Sequence, residues 1–153
     1  GKMNPASENR YYEEVHVGDD VPPLHKHLSL PRMMAYGAAT WDFIRIHYDT
    51  PYAHSMGLSA PVVDGQMLGA YLAQLIQDWA GPKAFLCKLS FQNRRMVLAG
   101  DSIVCHGTVK STFETQGRHL VECDLWVENH RGERVVEFAT ALVHLPSRKD
   151  NHS

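Results

Sequence analysis

The run from Thr40 to Asp49, "TWDFIRIHYD", sets Asp42, His47 and Asp49 among bulky apolar residues, with Arg45 between the first two. A carboxylate and an imidazole are the pair that general acid–base chemistry requires, one group taking a proton while the other gives one. Their spacing suits no regular element. Five positions on a helix turn two side chains roughly 140° apart, and an odd spacing on a strand sends them to opposite faces. If Asp42 and His47 act together, the segment must break its geometry between them, where a helix ends and a loop folds back.

The neighbouring elements supply such a break. Ser29 is a candidate helix cap and Pro31 suits a first turn, so a helix is expected from residue 30 to about Trp41. The stretch "DTPYAHSMGLSAP" carries Pro51, Gly57 and Pro61 and reads as a loop with at most a turn or two of helix. From Gly65 onward Leu68, Tyr71, Leu72, Leu75, Ile76 and Trp79 recur at three- and four-residue intervals, a helical face that Gly81-Pro82 ends. The period then falls to two. Phe85, Cys87, Leu89 and Phe91 mark one strand, Ile103 to Val109 a second, Val121 to Val127 a third, and Val136, Phe138, Thr140 and Leu142 a fourth. Short Gly-bearing separators make the last three an antiparallel meander. Upstream, "YYEEVHVGDDVPPLHKHLS" has mixed β character interrupted by Pro22 and Pro23 and is not counted as a strand. The expected fold is α+β, a four-stranded antiparallel sheet curled round one long apolar helix. The expected domain organisation is a flexible segment over 1–10, one domain over 11–146 and a polar tail over 147–153.

Composition narrows the function classes. The chain has 153 residues, 44% of them hydrophobic and 21% charged, and a net charge of -2. That charge gives no electrostatic case for nucleic acid or an anionic membrane. Cys87, Cys105 and Cys123 are an odd number without a CxxC pairing, read as small core residues in a reducing, cytoplasmic setting. No apolar run approaches the roughly 20 residues that span a bilayer. His25 and His27 share a strand face without a third ligand, so no metal is expected.

The segment from Thr40 to Gln66, "TWDFIRIHYDTPYAHSMGLSAPVVDGQ", closely resembles the signature of the MaoC-like, or type-2, enoyl-CoA hydratases. Asp42, His47, Asp49, Ala53, Gly57, Pro61 and Gly65 fall at the spacings of that signature. The run "RIHYD" resembles the form found in type-2 3-hydroxyacyl-thioester dehydratases, and "LAGDSI" a later strand-opening turn. There are departures. Ile44 stands where Asn is usual, Trp41 where Gly is frequent, and Asp64 where His is common.

The resemblance implies a hot-dog fold and an (R)-specific hydratase or dehydratase acting on a 2-enoyl thioester. Asp42 would activate water and His47 supply the proton to the α-carbon. The Gly65 backbone N–H, at the positive end of a long helix, would hold the thioester oxygen. Val62 and Asp64 beside it are expected to share in the oxyanion and substrate-binding site, and Arg94 and Arg95 are candidates for a coenzyme A phosphate or for a solvated strand end. Asp49 is read as a cap. No cofactor is expected beyond coenzyme A as part of the substrate, or an acyl carrier protein in its place. A homodimer or higher homo-oligomer is expected. Two other readings stay open: a hot-dog thioesterase using Asp64, and a non-catalytic hot-dog subunit that completes a partner's site.

Overall fold

The computed structural model describes residues 8–150. Five strands, β1 (Asp20–His27), β2 (Phe85–Asn93), β3 (Ser102–Thr115), β4 (Arg118–Asn129) and β5 (Arg134–His144), form one antiparallel sheet in the order β1-β3-β4-β5-β2. The sheet wraps the long helix α3 (Gly65–Ala80), whose Leu68, Leu72, Leu75, Ile76 and Trp79 are buried together with Val109, Val121, Cys123, Val127 and Val143 from the strands. A three-to-four-residue apolar period on the helix and a two-residue period on the strands thus meet in one core. The preceding segment supplies α1 (Leu30–Thr40) and the short α2 (Thr50–Ser55). Ser29 caps α1 by accepting from the Arg32 N–H at 3.3 Å, with Pro31 in the first turn. None of the helices among the described residues is long and apolar enough to cross a membrane.

The sheet has one strand more than expected. The Pro22-Pro23 segment is strand β1, and the prolines fall at a shift of register between Val21 and Leu24. At a sheet edge the missing proline N–H groups cost no ladder bonds, so the interruption is tolerated.

Two bulges also overturn the inward readings on β2 and β5. Ser90 pairs with Thr140 and Gln92 with Glu137, so two residues of β5, Phe138 and Ala139, face the single Phe91. Phe138 takes a φ of 52° and is 73% exposed, and the phase shifts so that Val136, Ala139, Ala141 and Val143 point inward instead of Phe138, Thr140 and Leu142. On β2 the extra residue is Cys87, between Leu86 and Lys88. It turns Phe85 outward and leaves Cys87 half-buried outside the core, whereas Cys105 and Cys123 are fully buried. An alternation count cannot detect an inserted residue, because a bulge exchanges faces for everything after it.

The described residues near both ends pack against the domain. Arg10 donates to the Ala80 carbonyl at 3.0 Å and Asn9 accepts from the Lys83 N–H at 2.8 Å. Ser147 is buried and donates to Glu13 at 2.6 Å, and Arg148 pairs with Glu14. Residues 1–7 and 151–153, the rest of the expected terminal segments, lie outside the described residues.

Leu72 is fully buried at the centre of the wrapped helix. Leu72→Ala is expected to lower stability by about 2–5 kcal/mol, measured by urea denaturation with an unchanged m-value.

Candidate active site

The end of α1 solves the spacing problem. Trp41 adopts a left-handed conformation, φ 58° and ψ 33°, and both its N–H and that of Asp42 turn back to the Gly37 carbonyl, the latter at 2.9 Å. This closing turn usually takes Gly, because a left-handed residue without Cβ meets no steric penalty. Trp41 accepts that conformation while 83% exposed, its ring edge-on to Phe43 at 5.6 Å. Gly37 matters for a different reason. A Cβ there would stand 2.8 Å from the Asp42 carbonyl oxygen, so the chain can double back this tightly only over a glycine.

A single 3-10 turn, Arg45–His47, then returns the chain. The Arg45 guanidinium lies over the Tyr52 ring and pairs with Asp49 at 3.1 Å. Asp49 caps α2 by accepting from the Tyr52 N–H at 3.0 Å, and this bond with the Arg45 contact holds its carboxyl below the usual range. It is a cap, as expected, and does not line the cavity described below.

His47 is fixed from behind. Its Nδ1 lies 2.7 Å from the Val62 carbonyl, which can only accept, so Nδ1 carries hydrogen and Nε2 is left to exchange a proton. Val62 in turn donates its N–H to the Ile46 carbonyl at 2.9 Å. Val62 therefore serves as an anchor for His47.

Asp42, His47 and Asp64 each offer a side-chain atom within 4.8 Å of the other two. All three line a cavity of about 300 Å³ whose remaining walls include Met33, Met34 and Tyr36 of α1, Phe43, and Met67 of α3. Asp64 caps α3, accepting from the Gln66 N–H at 2.9 Å. The Asp42 and Asp64 carboxyls each place an oxygen within 4.8 Å of the other, so that a protonated Asp64 can donate to Asp42 in a hydrogen bond that shifts both groups. That bond, with smaller help from the Ile44 N–H and His47, holds Asp42 below its ordinary range. Burial, together with the same bond, raises Asp64. Burial and the two nearby carboxylates raise Tyr36. Three ligand atoms this close are also within reach of a single cation.

Gly65, Val62, Arg94 and Arg95 line a second groove with Asn93 and Met96, and Gly65 follows directly on Asp64 of the first cavity. Gly65 is the first residue of α3, where the helix itself leaves the N–H unpaired. A side chain at this position would collide with the Asn93 amide. Arg94 pairs with Glu137 at 3.2 Å and Arg95 with Glu133 at 4.0 Å, so both guanidinium groups already have carboxylate partners, in exposed pairs of the weak surface kind.

Tyr36, Tyr48, the wall methionines and Asn93 were not among the expected site residues. Met33, Tyr36 and Gly37 stand at i, i+3 and i+4 on α1, a helical face that periodicity alone could have marked as facing something. Asn93 carried no such signal, because it meets Gly65 only through the closure of the sheet.

With this geometry in place, the chain can be compared with known proteins. The family described as "MaoC like domain" matches residues 14–128. No curated protein gives a significant sequence match. Among solved structures, the R-hydratase PhaJ1 from Pseudomonas aeruginosa superposes with a TM-score of 0.84 at 21% identity, covering 92% of this chain and 88% of its own. The (R)-hydratase from A. caviae involved in PHA biosynthesis gives 0.79 at 21%, covering 88% and 99%. The ChsH1-ChsH2 complex from Mycobacterium tuberculosis gives 0.73 at 24%, covering 87% and 98%. These likenesses establish the hot-dog fold.

The Gly37 contact yields a test that needs no substrate. Gly→Ala within a helix ordinarily gains about 1 kcal/mol. Gly37→Ala is expected to gain nothing and to lower the melting temperature, because the Asp42 carbonyl must move; a melting temperature above wild type would show that the turn has slack.

Proposed function

The chain belongs to the MaoC-like domain family, and from that premise we propose that it adds water reversibly to the double bond of a 2-enoyl thioester, as an (R)-specific hydratase or dehydratase. The observation that carries this reading is the convergence of Asp42 and His47, mismatched in every regular element, on one wall of an apolar cavity. Asp42, ionised and depressed, takes a proton from water as its oxygen attacks the β-carbon. The proton on His47 Nε2 goes to the α-carbon, and dehydration reverses both transfers. The N–H of Gly65, at the N-terminus of a 16-residue helix, is suited to the thioester oxygen as it gains negative charge. Met33, Met34, Phe43 and Met67 provide apolar walls for an acyl chain. The carrier, coenzyme A or an acyl carrier protein, would lie toward the groove of Arg94 and Arg95, where it must compete with Glu137 and Glu133.

A thioesterase is the second reading, and the observation in its favour is that Asp64 lines the cavity at the start of α3. The two enzymes differ in product. Loss of enoyl absorbance without thiol release is the outcome expected across a panel of enoyl-CoA substrates; thiol release with the enoyl group intact would replace the hydratase by the thioesterase. Asp42→Asn and His47→Ala are each expected to lower hydration by about a hundredfold or more, with the circular dichroism spectrum retained. Either variant keeping more than about a tenth of wild-type turnover contradicts the pair's role.

The reading includes a homo-oligomer. Edge strand β1 carries Pro22 and Pro23, which blunt it, whereas the other edge, β2, has no proline and is free to pair with a second copy. Light scattering should give at least twice the 17.3 kDa chain mass. An active monomer at micromolar concentration would remove this part of the proposal.

A further inference from the structure

Two carboxyl groups can hydrogen-bond to each other only if one of them carries a proton. Asp42 and Asp64 place carboxyl oxygens within 4.8 Å of each other on the wall of one cavity, and they reach it from different elements, Asp42 from the turn after α1 and Asp64 from the cap of α3. We infer that Asp64 is the proton-bearing member of this pair and a positioning residue for the reaction, donating to Asp42 so that the base stays ionised and correctly aimed. The inference rests on the hydratase reading for its effect on catalysis, but the shared proton itself does not depend on that reading.

The surroundings of the two carboxyls favour this division. Asp42 has a single further donor, the Ile44 N–H at 3.4 Å, too long to orient a carboxylate firmly. Ile44 has an apolar side chain and can supply no second donor. Asp64 is the more enclosed of the pair, and burial disfavours its charged form. One of its oxygens, Oδ1, is engaged as the cap of Gln66. The other titratable groups facing the pair are Tyr36 from α1, and His47 and Tyr48 from the 3-10 turn and its end; no Lys or Arg lines the cavity among the described residues. A permanent positive charge that would hold both carboxylates ionised is therefore missing from the cavity wall. With His47 the one group beside them on the described cavity wall that can carry positive charge, two carboxyls this close favour sharing one proton.

The sign of the pH effect follows. Asp42 is depressed chiefly by the hydrogen bond from Asp64. Removing that donor lets Asp42 bind a proton at higher pH, so the base is lost earlier as pH falls. Asp64→Ala removes the donor and also the helix cap. Asp64→Asn keeps both, because an Asn oxygen caps a helix and its amide N–H can donate to Asp42.

The test is the pH profile of kcat/KM for wild type and both variants, with the carboxyl titration of the same proteins followed by NMR on 13C-labelled aspartate. Asp64→Ala should move the acid limb to higher pH and lose about tenfold on that limb, the effect of removing a hydrogen bond to a charged group. Asp64→Asn should restore the wild-type acid limb. By NMR the wild type should show one aspartate titrating above the ordinary range, and Asp42→Asn should move that titration. An acid limb unchanged in Asp64→Ala, an equal displacement in both variants, or an Asp64 signal indifferent to Asp42→Asn would each overturn the inference. Should wild type prove inactive on every enoyl thioester, the hydratase reading fails, and the NMR arm alone decides whether the proton is shared.

Discussion

The site depends on a pair of hydrogen bonds at one residue. Val62 donates its N–H to Ile46 and accepts from His47 Nδ1 through its carbonyl. These bonds tie the irregular turn that carries His47 to the chain that leads directly into α3. A 3-10 turn of three residues has little stability of its own. Held against a strand-like segment, it is placed relative to a helix that the whole sheet encloses. Val62 also bridges to Leu98, and Val63 donates to the Val97 carbonyl at 2.7 Å, so the anchor itself is pinned to the chain following β2. Rigidity in the core is thus passed to side chains that lie outside it.

From that anchor the chemistry acquires its direction. The hydrogen bond to Val62 fixes which imidazole nitrogen exchanges protons, and the burial of α3 fixes where Asp64 and Gly65 stand. Asp42 is the least constrained member, reached only through the left-handed turn at Trp41 and steadied by its contact with Asp64. The two departures nearest the pair, Ile44 and Asp64, are physically connected in this way: a side chain that cannot donate is accompanied by an acid that can once protonated. Proton sharing then follows from packing two acids together in a cavity with no Lys or Arg among its described lining residues.

Much of this was legible in the sequence. The apolar period of α3, its termination at Gly81-Pro82, the Ser29 cap and the meander of β3 to β5 are local signals, and each produced the element expected. The break between Asp42 and His47 was legible as a necessity, since no regular element could make them neighbours. What could not be read were features created by closure of the fold. The bulges at Cys87 and Phe138 arise from strand pairing, and their phase shift leaves no local trace. The edge position that tolerates Pro22 and Pro23 is a property of the sheet. Likewise, Asp64 was visible as a departure at the start of a helix, but its contact with Asp42 exists only because two segments converge on one cavity.

In the proposed reaction, water is added across a double bond by two groups on one wall of that cavity. The most direct measurement is incubation of the protein with a 2-enoyl-CoA in D2O, followed by NMR of the product. The expected product is a 3-hydroxyacyl thioester carrying one deuterium on the α-carbon, added to the same face as the hydroxyl oxygen. Addition to opposite faces, or release of free thiol with the double bond unchanged, would contradict it.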